Sequence, residues 1–400
     1  MEKFIRARIN QEMLWALGDA VGRQRFKKFR LGLMRSRALT SIFLCILLLV
    51  SQTGARAFET DQYNLPPRPL ADIGDEVTEH VEQKLRQAIE KINAEILAHQ
   101  DCLPANSAVR RKSGCDSAAK EQARLAYLRS NDAVARRVYE LLGAGVPPFT
   151  NGGTWMDLHH FRVHPARYRT SYFKSIFLPW PSDTLTVSPT VNLYGAQFGT
   201  DKIAHLFQQG YSYYKIYRDA QREGKTPEEA TQKAVRWGQG TERGIFGFLI
   251  AGIYSNGDLA SNFAGLRFYQ GLTQETKIGA HVRRAMLMLK NGVWTINESV
   301  DLRQVLLKPF ISDHFNEALN PSIFTQFLGL RAYVRRCVRR RSCKQWFDHY
   351  PGLTRESLIE RSEALRLWYG EDYGFTDSKH FITIANTCFA DESQPVEADH

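Results

Sequence analysis

The sequence predicts a mainly α-helical protein: a multi-helix bundle with a minor β element, supported by disulfides. Three observations lead there. Ile73, Val77, Val81, Leu85, Ile89, Ile92 and Ile96 recur every three or four residues, the period of one helix face. A second helical stretch follows a polar loop bracketed by Cys102 and Cys115. A leader with the layout of an export signal puts the cysteines in a compartment where they pair.

That leader spans residues 34–57. Arg35 and Arg37 form its positive start, Ile42 to Val50 its apolar middle, and Ala55-Arg56-Ala57 the small-residue site for cleavage after Ala57. The apolar run from Ala38 is shorter than the roughly 18 residues a membrane-spanning helix needs. Residues 1–33 then read as an upstream start chosen in place of Met34. The expected location is periplasmic or secreted, with no transmembrane span in the mature chain.

Removing the leader changes the charge argument. The whole chain carries 53 Lys/Arg and 42 Asp/Glu, for a net +11, but residues 58–400 hold 42 basic and 39 acidic residues. A balance near +3 argues against a nucleic-acid partner.

Residues 58–72 read as an extended lead-in stiffened by Pro66, Pro67 and Pro69. Residues 73–143 read as a helical hairpin: one helix of about 25 residues from Ile73, and one from Ser117 to Leu142 ended by Gly143. The main domain, 144–390, begins with Pro, Gly and aromatic residues and short alternating runs, which predict strands and structured loop to about residue 200. Helices resume at Thr200. Thr226-Pro227-Glu228-Glu229 is a start signal with Thr as N-cap and Glu at the third helical position. Gly238 and Gly240 are expected to break that helix, with Thr241 capping the next. Residues 244–253 are almost uncharged and read as a buried helix. A hairpin is expected within 291–306, helix returns in the C-terminal third, and 391–400 read as a disordered tail.

Five cysteines remain after the leader. Cys102 with Cys115, and Cys337 with Cys343, are the expected disulfides, leaving Cys388 over. Closing a loop the size of the first is worth roughly 3 kcal/mol.

Polar residues that suggest chemistry concentrate in 200–265. Asp201 and His205 are four apart and share a helix face, which Gln209 continues. Asp258 and Asn262 repeat that spacing, with Gly265 one turn on, where a small residue lets another backbone approach. Glu242 precedes the uncharged stretch. Acids and an imidazole beside apolar helices are costly unless paired, hydrogen-bonded or metal-bound.

This pattern, D-K-x-x-H, an isolated Glu, then D-x-x-x-N-x-x-G, formed by Asp201, Lys202, His205, Glu242, Asp258, Asn262 and Gly265, resembles the VanZ-like group of bacterial envelope proteins. It also resembles a set of uncharacterised predicted periplasmic lipoproteins. The resemblance covers about 65 residues. It implies an envelope location and a shared polar site. The chain differs from these groups in lacking transmembrane helices and a lipid-attachment cysteine after the leader.

Three readings share the premise that these side chains meet. Asp201, His205, Glu242 and Asp258 can ligate a divalent metal, zinc or manganese, that activates water for hydrolysis. Without metal, His205 can act as general base held by Asp258 or Glu242, with Lys202 steadying an anionic oxygen and Asn262 and Gln209 contacting ligand. Alternatively the cluster is a structural network that locks helix packing, in a non-catalytic interaction protein.

Other features carry less. Asp157, His159, His160 and His164 lie close together in WMDLHHFRVH. Arg331, Arg335, Arg336, Arg339, Arg340, Arg341 and Lys344, interleaved with Tyr333 and Trp346, suit an anionic surface or envelope component, with Arg336 and Arg340 as binding residues. Tyr211, Tyr213, Tyr214 and Tyr217 read as core. Serine-hydrolase, zincin and phosphate-loop signatures are absent from the sequence.

Overall fold

The computed structural model describes residues 59–103, 115–143, 155–180 and 187–389. The expected export signal, the segment 1–33 and the tail 391–400 lie outside them. The described chain is mainly helical with four two-stranded antiparallel sheets.

The first helix, α1 (Gly74–Asp101), buries the predicted stripe, with Val77, Val81, Leu85, Ile89, Ile92 and Ile96 all inside. The predicted second helix is two helices, α2 (Ala118–Leu128) and α3 (Asn131–Leu142). Ser130 divides them because its side chain accepts the Ala133 N–H and caps α3. Both pack on α1, and Cys102–Cys115 closes their connection.

The hairpin β1 (Thr190–Leu193) and β2 (Ala196–Gly199) runs straight into the short helix α4 (Thr200–Ala204). A π-helical turn, His205–Gln209, continues into α5 (Gly210–Arg222). Its wider turn is closed by the Gly210 N–H on the His205 carbonyl. Helix α6 (Pro227–Arg243) starts with the predicted Thr226–Glu229 capping box. It does not break at Gly238 or Gly240. The Tyr213 phenol packs where a Cβ on Gly238 would sit, so that glycine serves close packing within a continuous helix.

Residues 245–251 form a second π-helical segment, and Leu249 on it is 48 % exposed. The expected buried helix is thus only partly buried, with Gly247 and Ala251 inside, and Gly252, at φ 75°, ends it after seven residues and turns the chain into a strand. That strand, β3 (Ile253–Ser255), pairs with β4 (Ser322–Phe324), joining Ser255 to Ser322. Helix α7 (Asn256–Gly271) comes next and is buried on nearly every side, which makes it the central rod of the core. Its Gly265 meets Gly210 of α5, each occupying the space a neighbour's Cβ would need. A hairpin lies earlier than expected, with Leu287–Lys290 paired to Val293–Ile296 through Asn291-Gly292, both at positive φ as a type I′ turn requires, while Leu302–Leu306 in the expected segment is helix.

A second apolar cluster gathers Tyr63, Phe177, Trp180, Leu330, Val334, Val338, Trp346 and Ile382. Here the second disulfide differs from expectation: Cys343 pairs with Cys388, and Cys337 is a buried free thiol. Cys337 and Cys343 lie on one uninterrupted helical path through 330–349. Six residues of helix separate Cα atoms by about 9 Å, beyond the roughly 7 Å a disulfide can span.

Candidate functional site

The lead-in is not a loose strap. Glu59, Thr60, Asp61, Gln62 and Asn64 are all buried, and Thr60 bridges to Ser188. Asp61 anchors the segment by accepting from the Asn64 and Ile176 backbone amides, and the Tyr63 hydroxyl donates to the Ile382 carbonyl at 2.8 Å. This carries Glu59 into the interior beside α4.

At the centre stands Lys202, with no solvent exposure. Its Nζ lies 2.5 Å from Asp201 Oδ2, 2.6 Å from Asp258 Oδ1, 2.6 Å from Glu317 Oε1 and 3.9 Å from Glu59 Oε2. Glu242 Oε2 accepts the Ser255 amide at 3.3 Å. The Ser255 hydroxyl donates to Glu317 Oε1 at 2.7 Å, and the Thr60 hydroxyl to Asp201 Oδ1 at 2.5 Å. The β3–β4 pairing explains this convergence, since it draws the turn holding Glu317 against the start of α7, where Ser255 caps the helix that carries Asp258.

The electrostatics are lopsided: five buried carboxyl groups surround one ammonium. Burial alone would push the Lys202 ammonium down, but the carboxylates outweigh it and hold it well above the ordinary lysine value. Burial, reinforced by Glu317 and Asp258, raises Glu59 well above the usual carboxylate range. Burial, reinforced by Asp258, does the same to Glu242. Glu317 is raised by burial to about 7, with Lys202 opposing.

His205 is the member of this neighbourhood that reaches solvent. Its side chain keeps 22 % exposure, while Asp258 beside it keeps 4 %. Nδ1 pairs with Asn262 Oδ1 at 3.0 Å, and Nε2 faces Asp258 Oδ2 at 3.6 Å. With the amide oxygen accepting from Nδ1–H, Nε2 is the nitrogen left to take a proton. The π-helical turn that begins at His205 is the local device that sets this ring between α4 and α7.

Asp201, Lys202, His205, Glu242, Asp258 and Asn262 thus lie in one connected neighbourhood. Two of their expected roles change. Lys202 donates to Asp201 and Glu317 and is ion-paired with Asp258, so its place is to hold charge at the centre, not to steady a substrate oxygen. Among the described residues, the carboxylates grouped closely enough to share a cation are Glu59, Asp201 and Glu317, with ligand oxygens within 4.8 Å of one another. Of these only Asp201 belongs to the expected quartet. Glu59 and Glu317 sit in an extended lead-in and an irregular turn, where no periodicity marks an inward side chain.

The remaining candidates lie elsewhere. Gln209 is half-buried on the π-helical turn and, among the described residues, makes no hydrogen bond to the cluster. Arg336 and Arg340 are exposed on the helical stretch whose other face enters the second apolar cluster. Arg331 and Trp346 are buried, with Arg331 Nε donating to the Phe324 carbonyl and Trp346 Nε1 to that of Tyr63, so neither belongs to a basic surface. His159 pairs with Glu76 at 2.8 Å and stacks on Trp155, while Asp157 accepts from Thr200. Those contacts fasten the segment to α1 and α4. Tyr213, Tyr214 and Tyr217 are core.

A cleft of about 920 Å³ opens beside His314, Leu367, Tyr369 and Phe375. Its histidine is committed on both nitrogens, to the Ser312 hydroxyl at 2.9 Å and the Leu367 carbonyl at 3.1 Å. The carboxylate cluster is therefore the stronger candidate. Compared with protein-family models, with curated proteins and with solved structures, the chain matches none.

Proposed function

We propose that this chain is an exported cell-envelope protein whose Lys202-centred cluster serves hydrolysis or ligand binding at His205. The observation that carries the reading is His205 itself. It is the solvent-facing member of a buried acidic group, with Asn262 fixing one nitrogen and Asp258 facing the other. An imidazole held this way presents Nε2, beside the Asp258 carboxylate, as the nitrogen that can take a proton from water. The excess of buried carboxyl groups over ammonium supports function, because a purely structural pair is costly unless its charges balance.

Export draws support from the leader 34–57 and from the disulfides Cys102–Cys115 and Cys343–Cys388, which fit an oxidising compartment. Among the described residues no helix is long and apolar enough to cross a membrane. The resemblance to VanZ-like envelope proteins points the same way. The exposed Arg336, Arg339 and Arg340 suit an anionic envelope surface.

The test is release of soluble fragments from purified envelope fractions, followed by mass spectrometry. Wild type is expected to release them, and His205→Ala to lose that release while keeping its near-UV circular dichroism. Equal release by both proteins, or none by wild type, overturns the hydrolytic reading. A second reading, a structural tie, draws on one observation: Lys202 joins acids from the lead-in, α4, α7 and the turn before β4. In that case His205→Ala changes nothing, and loss of Lys202 unfolds the protein.

A further inference from the structure

Asp258 Oδ1 lacks a hydrogen-bond partner but has the Lys202 ammonium at 2.6 Å, whereas Glu59 lacks both a donor and a close ammonium. Glu59 is 4 % exposed, and its Oε2 has no hydrogen-bond partner. Lys202 Nζ, at 3.9 Å, is too far to donate to it. Asp201 has the Thr60 hydroxyl and Lys202, and Glu317 has the Ser255 hydroxyl and Lys202. A buried carboxylate oxygen left without a donor is expensive, and among the described residues no group donates a hydrogen bond to it.

We infer that Glu59, Asp201 and Glu317 bind one hard divalent cation of the Mn²⁺ or Mg²⁺ class, with the unpartnered Glu59 oxygen as the ligand that the cation completes. The spacing fits. Oxygens bound to a common ion at about 2.1 to 2.4 Å lie no more than roughly 4.8 Å apart, and the three carboxylates offer oxygens within 4.8 Å of one another. The donor set decides the metal. It holds three carboxylates and neither nitrogen nor sulfur, which suits Mg²⁺, Ca²⁺ or Mn²⁺ and not the Cys and His sites that zinc prefers.

The orienting contacts are in place as well. Thr60 and Ser255 donate to Asp201 and Glu317 and fix the directions of their carboxylates, as supporting groups do around a metal. Lys202 offsets part of the negative charge, so one divalent ion added to the cluster brings it closer to neutrality. This inference uses the same cluster as the proposed function but does not depend on hydrolysis.

The experiment is a Mn²⁺ titration of the full chain, stripped of metal with chelator, followed by the loss of the free-ion electron paramagnetic resonance signal. The expected result is one Mn²⁺ per chain, with a rise in melting temperature on binding. Glu59→Gln, close in size, is expected to weaken binding by about 10- to 100-fold, and Glu317→Gln likewise. His205→Asn is expected to bind Mn²⁺ as wild type does. The inference is overturned if wild type takes up no stoichiometric Mn²⁺, or if folded Glu59→Gln binds as tightly as wild type. Loss of binding in His205→Asn also overturns it, since that would move the metal to a histidine-containing set. No substrate enters this titration, so a failed hydrolysis assay and a failed metal site are read separately.

Discussion

The Lys202 ammonium donates to Glu317 Oε1 at 2.6 Å across 115 residues of chain, with neither side chain reaching solvent appreciably. This contact ties the helix that opens the 200–272 region to the turn that precedes β4. Replacing Lys202 with Met leaves Asp201, Asp258 and Glu317 facing one another without a cation. Removing one partner of a buried ion pair costs about 3 to 5 kcal/mol, and chemical denaturation of Lys202→Met is expected to show a loss of that size. A variant as stable as wild type would mean that the ammonium is not the charge that holds the cluster together.

Gly265 and Gly240 form a contrasting pair. A Cβ on Gly265 would lie 2.0 Å from the Leu206 carbonyl oxygen and 2.6 Å from Gly210 Cα, both backbone atoms that cannot step aside. Gly265→Ala is expected to lower stability by about 2 kcal/mol or more, in the range of overpacked cores. Nothing lies within 4 Å of a Cβ on Gly240, inside the continuous α6 helix. Gly240→Ala should raise stability by about 0.5 to 1 kcal/mol. Paired thermal melts check both signs.

The cysteine pairing makes a chemical prediction. Peptide mapping without reductant should recover Cys343 linked to Cys388, with Cys337 alkylated only after unfolding. Cys388→Ser should cost about 2 to 4 kcal/mol, the usual worth of a disulfide. A peptide linking Cys337 to Cys343 would contradict the structure.

His314 makes stability depend on pH. Burial pushes its pKa down from 6.5 to about 4, against smaller opposing effects of the Leu367 carbonyl and Asp313. The unfolded chain therefore binds that proton more readily than the folded protein does. Its contribution is complete above pH 6.5 and is lost as pH falls toward 4, by about 3 kcal/mol in all. In His314→Gln the slope of unfolding free energy against pH should flatten across that window. An unchanged slope would remove His314 as its source.

Much of the helical framework is legible because its signals are local. The stripe from Ile73 to Ile96 needs only the helix period, and the Thr226–Glu229 cap only a hydroxyl and a carboxylate three residues apart. The same locality makes Asp201 with His205, and Asp258 with Asn262, readable as two polar faces. It misleads where a distant partner decides. Gly238 and Gly240 look like breakers, yet Tyr213 fills the space at Gly238 and the helix continues.

The sequence alone determined which residues turn the same way along each helix, since backbone geometry settles that within one or two turns. Tertiary packing decided who meets whom. Glu59 and Glu317 enter the cluster from segments without periodicity, carried there by the Thr60–Ser188 bridge and the β3–β4 pairing. Cys388 reaches Cys343 because a helix holds Cys337 out of reach. Such meetings depend on the combined burial of many side chains, and no short stretch of sequence records that.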